Sequence, residues 1–158
     1  MFIKKMVKMT WWKMILVFLL VLLLIIFLIK SNVKEGKTVT IGNTSFYVEV
    51  ARTVEEKAKG LAGHKPLADN EGMLFEFPAG DGFGFWMKGM TFPIDIIWIK
   101  NNKVIYVVEN TQPPKPGQKE RELPIFTPPE GAEYVLEVKA GEVKKTNLKI
   151  NDQVKIQL

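Results

Sequence analysis

The sequence predicts an α+β, mostly β domain, a small β-barrel or sandwich with one or two short helices, preceded by a single N-terminal transmembrane helix. Three observations carry that expectation. Short runs rich in β-branched and aromatic residues, punctuated by Gly, Asn and Pro, recur from Val39 to Leu158. Helical patterning in this region is confined to a segment near 54–62 and a turn near 142–148. Ahead of both lies an uninterrupted apolar stretch, Met14 to Ile29.

That stretch, MILVFLLVLLLIIFLI, is sixteen uncharged apolar residues. As a helix it is about 24 Å long, slightly short of the roughly 30 Å hydrocarbon core. Trp11 and Trp12 can sit in the interface, and Lys13 and Lys30 can snorkel to complete the span. A cleaved signal peptide is the alternative. The apolar run is long for one, and Lys30 to Gly36 offers no small-x-small cleavage site. The domain order is then a basic cytoplasmic N-terminus at 1–13, a signal anchor at 14–30, a tether at 31–38 and one domain at 39–158. Lysines before the run set the expected topology: N-terminus inside, domain outside the cytoplasm.

Val39 to Ile41 and Phe46 to Val50 flank Gly42-Asn43, a hairpin turn signal. Thr53-Val54-Glu55-Glu56 is a capping box, so a helix starts at 54; Gly63 suits its C-terminal stop near 62. The chain then reaches its densest apolar stretch, Gly72 to Lys100. Strands are expected at 73–77, 83–88 and 94–99, the last two forming a hairpin. Asn101-Asn102 turns the chain into a strand at Lys103 to Val108. Residues 110–130 hold six prolines and read as a long loop. Tyr134 to Val138 and Val154 to Leu158 are the remaining strands, with a helical turn at Glu142 to Leu148 and a tight turn at Asn151-Asp152.

Charge excludes more than it suggests. Five of the 22 basic residues, Lys4, Lys5, Lys8, Lys13 and Lys30, flank the apolar segment; the other 17 balance the 17 acidic residues of 31–158. A nucleic-acid binder carries a basic excess on its folded part, and none exists here. With no cysteine, disulfides, thiolate metal sites and cysteine nucleophiles are excluded.

Gly72-Met73-Leu74-Phe75-Glu76-Phe77, Phe85-Trp86-Met87-Lys88 and Pro93-Ile94-Asp95-Ile96 follow one another in an order that resembles the DUF192 family, also called UPF0127. Arg52, Gly60 and Leu61 upstream, and Tyr134 to Val138 with Gly141 downstream, extend the resemblance over roughly 46–158. It implies a compact, mostly β domain of unassigned biochemical function, often secreted or membrane-tethered. Three positions depart from the pattern: His64 stands where arginine is usual, Phe126 in a region where relatives commonly carry a cysteine and a tyrosine, and Asn151 where glycine is usual.

Alternation of side chains brings out one candidate site. Asp95 falls on the face of strand 94–99 that also holds Ile97 and Ile99, and a carboxylate there must be paired, hydrogen-bonded or protonated. Lys88 lies across the turn. In a structural reading, Asp95 accepts amide hydrogen bonds from the Gly89–Phe92 turn and braces the hairpin. In a functional reading, Trp86, Lys88 and Asp95 line a ligand pocket. His64, the single histidine, lies in a loop where a polar residue needs no function. Met73, Met87 and Met90 are core filler before they are soft-metal ligands. Gly80-x-Gly82-x-Gly84 lacks the strand and helix of a nucleotide fingerprint. No metal or cofactor is expected. The leading function is an envelope-side ligand- or protein-binding accessory module. The alternatives are a small-substrate enzyme using Asp95 and Lys88, or a purely structural envelope protein.

Overall fold

The computed structural model describes residues 11–31, 36–78, 80–81 and 84–158, with the side chains of 26–31 left out. The chain forms two compact units, one up to Glu35 and one from Gly36 to Leu158. In the first, helix α1 spans Trp11–Ser31, and its described side chains, 11 to 25, are all exposed. Among the described residues no helix is long and apolar enough to cross a membrane. The expected span of 14–30 runs past the described side chains, and the basic N-terminus and most of the tether also lie outside the described residues.

The second unit is a single seven-stranded sheet. Its strands are β1 (Thr38–Ile41), β2 (Thr44–Ala51), β3 (Glu71–Glu76), β4 (Ile94–Lys100), β5 (Lys103–Thr111), β6 (Tyr134–Lys139) and β7 (Val154–Gln157). They are ordered β5-β4-β6-β3-β2-β1-β7. Among the described strands only the β2–β3 pair is parallel. Parallel neighbours need a crossover, and helix α2 (Val54–Lys59) lies in that connection. The sheet curls until its edges meet at one corner, where Lys103 bridges Gln153 and the Val104 amide donates to the Asp152 carbonyl at 3.0 Å.

Local chemistry fixes the turns. Gly42 (φ 58°) closes the β1–β2 hairpin, and Asn101 and Asn102 (φ 51° and 57°) close β4–β5, as residues that tolerate left-handed backbone should. At α2, Glu56 donates its amide to Thr53 Oγ1 at 3.1 Å and accepts the Thr53 amide at 3.0 Å, the reciprocal capping box. The helix ends at Lys59, with Gly60 as its cap. Gly63 has positive φ as expected, three residues beyond. Helix α3 (Glu142–Thr146) occupies the predicted turn before β7.

The sheet is buried on both faces. One face carries Phe46, Leu74, Ile97 and Leu136, covered by Val143 and Leu148 from the α3 region. The other carries Met73, Phe75, Ile96, Trp98 and Val135, covered by Leu61 and by Met87, Met90 and Phe92. Each large side chain so buried contributes about 1.5–3 kcal/mol relative to exposure.

The segment 84–92 differs from the expected strand. Within the described part of 83–88 only Phe85 pairs, in a bridge to Phe126 of the proline-rich loop; Phe83 lies outside the described residues. The reason is that β4 has no free edge. It is bonded to β5 on one side and β6 on the other. With both ladders used, 84–92 cannot form a hairpin with β4 and instead folds over the sheet, burying Met87, Met90 and Phe92.

Candidate functional site

Asp95 is fully buried on β4, opposite Val138 of β6. Its Oδ1 accepts the Asn110 amide at 2.7 Å, and its Oδ2 accepts the amides of Gly141 and Val143 at 3.0 and 2.9 Å. The carboxylate therefore ties β4 to the end of β5 and to the first turn of α3. Its role is of the bracing kind, but the donors differ from those expected. They are not in the Gly89–Phe92 turn, because that turn covers the opposite face of the sheet. Lys88 is not its partner either. Lys88 Nζ is 3.0 Å from Glu120 Oε2 in an exposed pair, and it sits 5.3 Å from the centre of the half-exposed Trp86 ring. Trp86 and Lys88 are brought together; Asp95 is not with them.

Trp86 and Lys88 line a cleft of about 280 Å³ on the α2 side of the sheet. Its walls come from Lys57 and Lys59 of α2, from Phe77 and Phe85, and from Trp86 and Lys88. Phe85 stands edge-on to Phe75, Phe77 and Trp98, with ring centres 4.9, 6.2 and 5.9 Å away. Lys57 Nζ donates to the Glu76 carbonyl at 2.8 Å and lies 4.5 Å above the Phe77 ring.

Among the described residues, the carboxyl group lining this cleft is Glu137. It lies on β6, paired with Met73 on one side and Ile96 on the other, and is 4% exposed. Among the described residues its Oε2 has no hydrogen-bond partner. Burial disfavours the charged form, and the Glu137 carboxyl is pushed up to about 8. Near neutral pH it is therefore a carboxylic acid, able to donate one hydrogen bond. Sequence reasoning missed it. Strict alternation on Tyr134 to Val138 puts Leu136 and Val138 inward and Glu137 outward, the ordinary pattern of a half-buried strand. The signal that could have found it is positional: β6 is a central strand, and both faces of this sheet are covered.

His64 lines a separate depression with Glu49, Glu56, Lys59 and Met73. It is not a hydrogen-bond partner of Asp95, whose partners are three backbone amides. The proline-rich loop adds Pro114, Gln118, Glu120 and Leu123 to a shallow groove that shares Lys88 and Met90 with the cleft. Gln118 and Lys119 pin that loop around a single 3-10 turn, Glu120–Glu122.

Comparison with known proteins agrees with this architecture. A family model, DUF192, described as "Uncharacterized ACR", matches residues 37–156. A crystal structure of a protein of unknown function from Novosphingobium aromaticivorans DSM 12444 is similar at 29% identity and a TM-score of 0.67, over 78% of this chain and 89% of that one. A protein from Sinorhizobium meliloti 1021, described as a candidate transcription regulator, is similar at 26% identity and a TM-score of 0.65, over 76% of this chain and 92% of that one. No curated protein matches the chain. The sheet and the match across 37–156 lead to one assignment: the chain belongs to the DUF192 family.

Proposed function

We propose that the chain is a membrane-anchored DUF192 domain that acts outside the cytoplasm as a small-ligand binding module. The observation that carries the binding role is the acid of Glu137, unpartnered among the described residues, lining an aromatic cleft. An orphaned buried polar atom costs about 1–3 kcal/mol, and a ligand that bonds it recovers that cost. Trp86, half-exposed on the wall of the same cleft, offers the flat apolar surface that small-molecule sites use. No serine, threonine or histidine lines the cleft among the described residues, which favours binding over catalysis. The bracing of Asp95 by three amides removes support from an enzyme built on Asp95 and Lys88. The regulator description of the Sinorhizobium protein is not carried over, because residues 31–158 hold no excess of basic over acidic groups.

The anchor is supported by the apolar run of 14–29 and by the tryptophans and lysine that precede it, the pattern of a segment that enters a bilayer. A reporter fused after Leu158 is expected to be active only outside the cytoplasm; activity only in the cytoplasm contradicts the topology. The binding role is tested by native mass spectrometry of the full chain purified in detergent. A bound small molecule that is lost from Trp86→Ala is the expected result. A bare chain, or an adduct indifferent to Trp86 and Glu137 substitutions, contradicts it.

A further inference from the structure

The geometry points to a carboxylate ligand with a compact apolar body, held by the lysine rim of the cleft and by a hydrogen bond from Glu137. This inference rests on the binding role proposed above and adds the ligand's chemistry.

Two classes of ligand would satisfy an orphaned carboxyl in an aromatic cleft. A cation would pair with the ionised acid and lie on the rings. An anion would accept a hydrogen bond from the neutral acid. The ring faces decide between them. Lys57 already lies 4.5 Å over Phe77, and Lys88 lies 5.3 Å over Trp86. The surfaces that would receive a cationic ligand are already faced by the protein's own ammonium groups, and Lys59 adds a third at the rim. Glu120 offsets the charge of Lys88, so an incoming cation meets the like charges of Lys57 and Lys59, and an incoming anion meets two opposite ones.

The groups around Glu137 reinforce the choice. From α2 come Lys57 and Lys59, and from the 84–92 segment comes Lys88, with Glu120 on its outer side. The neighbours on β3 and β4 are Met73 and Ile96, and β2 and β5 bring Ala51, Ile105 and Val108 to the same face. Glu76, at the end of β3, is engaged by Arg52 at 2.6 Å. Beyond Met73, Glu49, Glu56 and His64 line the separate depression. A ligand carboxylate seated here accepts the Glu137 O–H in a charge-assisted bond, and lysine ammonium groups flank its charge. Its apolar part packs on Phe85 and against the edges of Phe77 and Trp86, whose ring faces the lysines hold. The cleft's 280 Å³ is near the lower end for small-molecule sites and suits a body of about one aromatic ring or a short branched chain.

Binding is then linked to a proton. The anion requires the acid form of Glu137, so affinity is level where Glu137 is protonated and falls once it ionises. With Glu137 titrating near 8, affinity drops by roughly tenfold per pH unit above that point.

The test is calorimetric titration of the full chain in detergent with three probes of one shape: phenylacetate, 2-phenylethanol and 2-phenylethylamine. Phenylacetate is expected to bind best, with the alkaline fall described. Glu137→Gln, which keeps an N–H donor, is expected to bind phenylacetate with no such fall, and circular dichroism confirms that it is folded. If the amine binds best, or if phenylacetate affinity rises with pH, the carboxylate inference is overturned while the binding role stands. If no probe binds and the chain purified from cells also carries no small molecule, the binding role itself is overturned.

Discussion

Two buried acids of the sheet have opposite fates, and the difference lies in what their oxygens touch. Asp95 is met by three amides and is held as a structural brace. Asp95→Asn presents an NH₂ group to at least one of those donors. It is expected to cost about 1–3 kcal/mol, read as a lower denaturant midpoint, with ligand binding in the cleft unchanged. Glu137 has an oxygen with no partner among the described residues, and its acid form is favoured by burial alone. The sign of the pH effect follows. Between the ordinary glutamate range and about 8 the folded chain keeps a proton that the unfolded chain has lost. Stability contributed by this group is full below that window and declines as pH rises through it, by at most roughly 1.4 kcal/mol per pH unit, before levelling off. Glu137→Gln removes that decline; urea unfolding of both proteins across the window measures it. Asp95 could be picked out from the sequence because a carboxylate beside isoleucines needs a partner. Its donors could not, because Asn110, Gly141 and Val143 come from elements 15 to 48 residues away.

At the scale of elements, the hairpins and caps were legible because each is settled by neighbours in the chain. Thr53 and Glu56 are three residues apart, and Asn101-Asn102 is a turn in itself. The segment 84–92 was not legible, since its apolar alternation suits a strand and only the pairing of β4 on both edges denies it one. A similar long-range constraint acts at Gly72. A Cβ there would lie 2.6 Å from the Glu137 carbonyl and 3.2 Å from side-chain atoms of Leu136 and Val138. The backbone atom cannot swing away, so β3 and β6 would have to part beside the cleft. Gly72→Ala is expected to destabilise the domain by about 1–3 kcal/mol and to weaken ligand binding with it. Thermal unfolding followed by a binding titration checks both.

For the whole molecule, the curled sheet divides the labour between its faces. One face is braced by Asp95 through α3 and β5, and the other is covered by Leu61 and the 84–92 segment, with the lysines of α2 on the wall of the cleft lined by Glu137. The α+β, mostly β class was readable from strand and turn periodicity. The cleft was not, since it depends on a folded-over segment and a central strand. Because Trp86 is half-exposed and packs little of the core, Trp86→Ala is expected to change stability by less than about 1 kcal/mol while reducing ligand affinity at least tenfold.

Ligand binding in the cleft turns on the protonation of Glu137. The direct measurement is the carboxyl carbon shift of Glu137 followed by NMR against pH, assigned by its loss in Glu137→Gln, with and without saturating phenylacetate. A midpoint near 8 in the free protein, moving higher when the ligand is bound, is the predicted result. A midpoint in the ordinary glutamate range, or one that the ligand leaves in place, would contradict a cleft built around a neutral acid.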